Sequence, residues 1–354
     1  MRKLATTLAA AAGLALAGLA QPAQATPMKR LARLAAASLA AVLGLGTVFL
    51  TTVPAHATFH GRNGRIAYTL DKGSGAQIYT INPDGTGRRQ LTHVDGAAVD
   101  PDWSPDGRHI VFEVDHPNGA GCSVEIMDAD GSNIRDLTGS RKGCEMTPAF
   151  TPNGQRIVFA HDCDQCAVVL RSMNLQGKDR RLILRAPSLY KKEPQVSSDG
   201  RTVLFLVEKE LGVINGVDEN VKALYSVRMN GTHLNTVVPF DFDVCACGGD
   251  WAPNGTGIAF SDNAGAAGEP QTKPTNLATI RPDGTGLRFL THLQGIKVYL
   301  SSGSYSPDGR WILFKTQRGD KYALWKIHPD GTGKTLIARF KFNPGTRDWG
   351  ARPT

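Results

Sequence analysis

None of the motifs that mark a common catalytic or nucleotide site occurs in the 354 residues: there is no GxSxG, no HExxH, no phosphate loop and no dinucleotide fingerprint. No nucleophile and base can be paired from the sequence, so no catalytic residue is assigned. The acidic stretch Asp128-Ala129-Asp130-Gly131 lacks the bidentate glutamate that a calcium-binding EF-hand loop needs at its twelfth position, and it reads as a hairpin turn. Charge of one sign is also scarce. The whole chain carries 40 basic and 32 acidic residues, a net +8. Five of the basic residues (Arg2, Lys3, Lys29, Arg30, Arg33) and no acidic ones fall in residues 1–57, which leaves 35 against 32 in the remainder. An excess this small does not describe a nucleic-acid-binding surface.

Cysteine is sparse, with six residues and none before residue 58. No Cys follows either N-terminal apolar run at its cleavage pattern, which argues against a lipid-anchored product. Arg2 and Lys3 precede the apolar run from Leu4 to Ala20 and the small-residue pattern Ala23-Gln24-Ala25. The arrangement repeats as Met28, Lys29, Arg30 and Arg33, the run from Leu34 to Leu50, and Ala55-His56-Ala57. Residues 1–57 are therefore expected to be an export signal region with its true start at Met28 and cleavage after Ala57. A secreted or extracytoplasmic chain follows, with no stable membrane insertion once the signal is removed.

What the sequence has in abundance is repetition. An eight-residue phrase ending in Gly begins at Ile78 (IYTINPDG), Val124 (VEIMDADG), Leu170 (LRSMNLQG), Leu224 (LYSVRMNG), Leu277 (LATIRPDG) and Leu324 (LWKIHPDG). Alternating apolar residues give the period of a strand, and Asp or Asn before Gly suits a tight turn. A second phrase keeps step, ending at Tyr68, Phe112, Phe159, Phe205, Phe260 and Phe314. Its glycines, from Gly64 to Gly309, are spaced by 43, 47, 46, 55 and 54 residues. Six units of this length, each with several strands and two turns, predict an all-β, six-bladed β-propeller of four-stranded antiparallel blades over residues 58–354.

The innermost strand of each unit ends at Trp103, Phe150, Val196, Trp251 or Tyr305, and the outermost carries the Leu-Thr pair seen at Leu91-Thr92, Leu137-Thr138 and Leu290-Thr291. Reversal of neighbouring strands puts both sets of Gly turns on one face. The hairpins between second and third strands, and the crossovers between units, emerge on the other. The first unit lacks an inner strand of its own. The tail Thr346-Arg347-Asp348-Trp349, which copies Pro101-Asp102-Trp103 and Gly249-Asp250-Trp251, is expected to supply it and close the ring.

These phrases resemble the WD-like repeat of the propeller domain of TolB and its relatives: an aromatic, SPDG, an IAF strand, a hairpin to IY, a DxDG turn and LT. The resemblance runs over residues 62–351 and implies the fold. TolB carries an α/β domain before its propeller, whereas here the repeats begin almost at the expected cleavage site, so a Tol-Pal role is not carried over. The prolyl-oligopeptidase-like peptidases that share the repeat are set aside, because a hydrolase domain does not fit after Trp349.

Three sets of candidate functional residues remain. Cys122, Cys144, Cys163, Cys166, Cys245 and Cys247 all fall on the crossover face and are expected to form disulfides, with Cys122–Cys144 and Cys163–Cys166 as pairings. Cys245 and Cys247 are too close in sequence for an easy direct bond. The alternative for Cys163, Cys166, Cys245 and Cys247 is a thiolate metal site with His161. The second set lies at the channel mouth: Asp100, Asp102, Glu193, Asp250, Asp348, His93 and His292, with a divalent cation as the candidate occupant and no other cofactor implied. Most of these are copied with the repeat, which favours a structural role. The third is a pair of long hairpin loops, Glu208 to Lys222 and Asp262 to Asn276, which together would make a recognition surface. The sequence thus favours a monomeric, exported, non-enzymatic recognition or scaffold protein that binds a protein, peptide or cell-envelope component. A metal-assisted channel-mouth enzyme, such as a lactonase or glycan lyase, is the alternative.

Overall fold

The repeated phrases lock their own turns. In Ser104-Pro105-Asp106-Gly107, Ser104 Oγ donates to Asp106 Oδ1 at 2.6 Å, the Arg108 amide donates to the same oxygen at 3.0 Å, and the His109 amide donates to Ser104 Oγ at 2.9 Å. Gly107 has φ +66°, and a Cβ there would strike the carbonyl oxygen of Ala351, so both conformation and space demand glycine. The same Ser-Asp lock recurs at Ser197 with Asp199 and at Ser306 with Asp308. In the second phrase the hydroxyl after Gly closes the turn: Thr86 Oγ1 donates to Asp84 Oδ1 at 2.7 Å, and Asp130, Asp283 and Asp330 take the corresponding hydroxyls of Ser132, Thr285 and Thr332. These carboxylates are engaged by their own turns.

The computed structural model describes residues 61–139, 143–162, 168–186, 190–214, 217–240, 246–262, 275–293, 298–301 and 304–353. The expected signal region and start site therefore lie outside the described residues. The first module comprises β1 (Asn63–Asp71), β2 (Ala76–Ile81) and β3 (Arg89–Gln90). The second holds β4 (Ala97–Trp103), β5 (His109–Asp115), β6 (Cys122–Asp128) and β7 (Arg135–Asp136), and the third β8 (Cys144–Phe150), β9 (Arg156–Asp162), β10 (Val169–Asn174) and β11 (Arg181–Arg185). The fourth holds β12 (Tyr190–Val196), β13 (Thr202–Ile214), β14 (Val217–Arg228) and β15 (Asn235–Val238), and the fifth β16 (Ala246–Trp251), β17 (Ile258–Asp262), β18 (Asn276–Ile280) and β19 (Arg288–Phe289). The sixth holds β20 (Val298–Ser301), β21 (Ile312–Arg318), β22 (Lys321–Ile327) and β23 (Thr335–Phe340), followed by β24 (Pro344–Ala351).

Within each module the strands are antiparallel neighbours in sequence order, and β24 supplies the missing fourth strand of the first, in the order β24-β1-β2-β3. Trp349 pairs with Ile66, Asp348 with Ala67 and Arg347 with Tyr68. The second and third modules are joined into one eight-stranded sheet by a single parallel bridge between Cys122 and Cys144. The Leu-Thr pairs tie the outermost strand to the third: the amides of Ile78, Val124 and Leu277 donate to the hydroxyls of Thr92, Thr138 and Thr291 at 2.8, 3.0 and 2.9 Å.

Apolar packing runs between modules. Ala67 and Ile78 of the first pack with Trp103, Ile110 and Phe112 of the second, and Val111 and Ile126 of the second with Phe150 and Phe159 of the third. The succession continues around the molecule until Leu313, Leu324 and Phe340 of the sixth pack with Ile66, Tyr68 and Trp349 of the first sheet. A single four-stranded sheet cannot bury both faces, and this circular arrangement does so for each. The fold is an all-β propeller: a ring of antiparallel sheets sealed by its C-terminal strand.

Candidate functional site

The inner strands do not run regularly to their ends. Each of β4, β8, β12 and β16 slips register near its middle, between Val99 and Asp102, Met146 and Ala149, Lys192 and Gln195, and Cys247 and Gly249. At these bulges Asp100, Thr147, Glu193 and Gly248 adopt positive φ, of 49°, 50°, 53° and 58°. For a residue with a side chain this conformation costs on the order of 1 kcal/mol or more, and such positions cluster at functional sites. Here they cluster around the centre of the ring.

A cavity of about 340 Å³ occupies that centre, with Asp100, Asp102, Glu193, Asp250, Asp348, Lys315 and Arg347 in its wall. Two tiers of hydrogen bonds knit the wall. In the first, a side chain just before the aromatic of one inner strand accepts from the backbone amide of the corresponding residue in the next: Asp348 from Trp103 at 2.8 Å, Asp102 from Phe150 at 2.8 Å and Asp250 from Tyr305 at 2.6 Å. Ser304 accepts from Trp349 at 3.2 Å in the same way. In the second tier, Thr346 Oγ1 accepts from the Asp100 amide at 2.9 Å, Glu113 Oε2 from Thr147 at 2.8 Å and Thr147 Oγ1 from Glu193 at 3.1 Å.

Burial governs the protonation of this wall. Loss of water pushes the carboxyls of Asp102 and Asp348 up, and Asp102 is raised further by the nearby Asp348. Burial, followed by the charge of Asp348, lifts Asp250 to about 8. Burial, followed by the charge of Asp100, lifts Glu193 to about 7 and Glu113 to about 9. The two cations move the other way, Lys315 to about 8 and Arg347 to about 10, both chiefly by desolvation. A positively charged ligand entering the cavity would draw protons off these acids.

Of the residues singled out in the sequence, Asp100, Asp102, Glu193, Asp250 and Asp348 are brought together on this wall. His93 and His292 are not. Each follows the Leu-Thr pair of an outermost strand and is exposed, with His93 beside Gln90 at 3.2 Å, because the Leu-Thr strand lies at the rim of its sheet and not at the axis. Glu113 and Lys315 were missed, yet both occupy the position directly after the aromatic of the second strand, where the other modules carry Thr69, Ala160, Leu206 and Ser261. Aligning the repeats on that aromatic exposes them as the charged members of the set.

Cys122 and Cys144 form a disulfide. Cys163, Cys166 and Cys245 lie outside the described residues, and Cys247 is described only through its backbone pairing with Ser261. His161 stands beside Glu145 at 3.3 Å, with Arg180 also against Glu145. The long hairpin expected from Glu208 to Lys222 takes the form of a ribbon: β13 and β14 continue antiparallel, with Glu208 opposite Lys222 and pairing down to Ile214 with Val217. Glu208 bridges Lys192 and Lys222, each at 2.8 Å, at the ribbon's base. Asp262 and Asn276 likewise face each other as paired strand residues, and the segment between them lies outside the described residues apart from Thr275.

The PD40 family profile, described as the TolB beta propeller domain, matches residues 51–244. The chain belongs to the TolB β-propeller family. TolB of Acinetobacter baumannii superimposes with a TM-score of 0.64 at 16% identity, over 82% of this chain and 67% of that one. A putative TolB from Agrobacterium tumefaciens gives 0.58 at 15% identity, over 79% and 91%. At these identities the TolB likeness is one of fold. An uncharacterized protein of Agrobacterium fabrum is 33% identical over 88 residues, 25% of this chain, and the match spans 29% of that relative's length.

Proposed function

We propose that the six modules are the blades of one six-bladed, TolB-like propeller that is exported and works as a monomeric recognition protein without catalytic activity of its own. The ligand class favoured is a polypeptide, taken up on the crossover face. The observation that carries this reading is the ribbon. Beyond Glu208, the last residue paired to β12, the β13 and β14 strands pair, among the described residues, with each other alone, from Lys209 opposite Val221 to Ile214 opposite Val217. Two strand edges with free backbone donors and acceptors are the template on which an extended peptide adds as a further strand. The Lys192-Glu208-Lys222 bridge sets the ribbon's root beside the channel wall. The repeated aspartates, by contrast, are occupied in holding module to module.

Affinity capture from the native envelope and culture fluid tests this, comparing the full chain with one in which residues 209–221 are replaced by a two-residue turn. A polypeptide partner retained by the full chain and lost by the shortened one supports the reading. Equal retention by both contradicts it.

A second reading rests on Asp100 and Glu193, strained acids on the channel wall. A divalent cation held there would make the cavity a metal-assisted site of the lactonase or glycan lyase type. Stoichiometric metal after gentle purification, together with turnover, would favour it.

A further inference from the structure

One corner of the second module brings together four ligand-bearing side chains, of which only Glu113, through Oε2, also serves the channel wall. Glu113 and Asp115 are two residues apart on β5, so both stand on one face of the sheet. Cys122 lies directly opposite Asp115, and Cys144 is bridged in parallel to Cys122. Three neighbouring strands thereby present two carboxylates and two sulfurs side by side. One ligand atom from each of the four residues lies within 4.8 Å of the other three. Glu113 is buried and Asp115 is exposed, so the corner has an inner wall and an opening to solvent.

The sulfurs are joined to each other, which occupies them. We propose that reduction of the Cys122–Cys144 bond converts this corner into a binding site for a thiophilic divalent cation of the zinc class, held by both thiolates and by the carboxylates of Glu113 and Asp115. The reductant is a dithiol. Its two sulfurs become a disulfide as the Cys122–Cys144 bond breaks, and two electrons and two protons pass to the protein as a pair of thiols. Entry of the cation displaces those two protons and forms two metal-sulfur bonds. Four ligands of mixed sulfur and oxygen suit tetrahedral zinc, whereas magnesium and calcium prefer oxygen alone and more ligands. The cation would take over the role of the covalent bond, because Cys122 and Cys144 form the parallel bridge that joins the sheets of the second and third modules.

The test uses the full chain with the other four cysteines replaced (Cys163→Ser, Cys166→Ser, Cys245→Ser, Cys247→Ser). The protein is reduced with a dithiol, freed of reductant under anaerobic conditions and titrated with cadmium, read by the ultraviolet thiolate-to-metal band, and with zinc against a chromophoric chelator. One ion per reduced chain and none per oxidised chain is expected. Asp115→Asn and Glu113→Gln should each weaken binding at least about tenfold, the lower end of what loss of a group supporting a metal costs. Asp115 is exposed, so its substitution leaves the fold intact, and the melting temperature of the oxidised variant verifies this. No binding after reduction, equal binding before and after it, or an affinity unmoved by both carboxylate substitutions would overturn the proposal.

Discussion

Asp348, three residues from the end of β24, accepts the backbone amide of Trp103 through Oδ2 at 2.8 Å, and its Oδ1 accepts its own neighbour Trp349 at 2.8 Å. One carboxyl thus links the first sheet, which β24 completes, to the inner strand of the second module across 245 residues of sequence. Removing it should leave the buried Trp103 amide without a partner, at a cost of about 1–3 kcal/mol. Asp348→Ala is expected to lower the melting temperature clearly, and Asp348→Asn, which keeps an acceptor, to lower it less. Equal melting of the two variants and the parent would remove this bond from the account.

A chain ending at Asn343 loses β24 altogether. It loses the Trp349 side chain, 2% exposed, from the core between the sixth and first modules, and it exposes the inner edge of β1. Burial of a large aromatic alone is worth about 3–5 kcal/mol on replacement by Ala. The shortened chain should therefore unfold at much lower denaturant concentration than the full chain. An unchanged midpoint would refute closure.

Stability should fall as pH rises from about 5 to 8. Glu193 and Asp250 have folded-state values raised to about 7 and about 8, above those of an unfolded carboxyl. A group raised in this sense favours the folded state below its unfolded value, and that contribution disappears as pH climbs through the folded value. Asp250→Asn keeps an oxygen for the Tyr305 amide and has no charge to desolvate, so it should flatten the slope between pH 6 and 8. Melting curves across that range decide it, and a variant with the parent's slope would contradict the assignment.

The disulfide closes a segment with a sequence separation of 22 between Cys122 and Cys144. Loss of such a link costs about 2–4 kcal/mol, mostly through a freer unfolded chain. Cys122→Ser with Cys144→Ser should lower the unfolding free energy by that amount without metal present. Peptide mapping without reductant should return residues 122 and 144 in one linked fragment.

Much of this architecture can be read from the sequence because its turn phrases recur six times. Ser104, Asp106 and Gly107 lock a turn wherever they recur, Thr92 and its copies bind the third strand, and the Asp before Trp103, Trp251 and Trp349 identifies the inner strand. What could not be read arises from radial position and backbone strain. His93 and His292 directly follow the Leu-Thr pairs of outermost strands and are exposed, away from the channel wall. The left-handed turns at Asp100, Thr147 and Glu193 are imposed by bulges against the next strand, and no local propensity announces them. Glu113 and Lys315 were hidden inside apolar strands, visible only when the modules are compared position by position.

Amide hydrogen exchange at Trp103, Phe150 and Tyr305 tests the sealed ring most directly, since these are the amides that Asp348, Asp102 and Asp250 hold across module boundaries. All three should exchange among the slowest in the protein, and Asp348→Ala should speed Trp103 far more than Phe150 or Tyr305. Exchange at Trp103 as fast as in exposed turns, or untouched by the loss of Asp348, would contradict it.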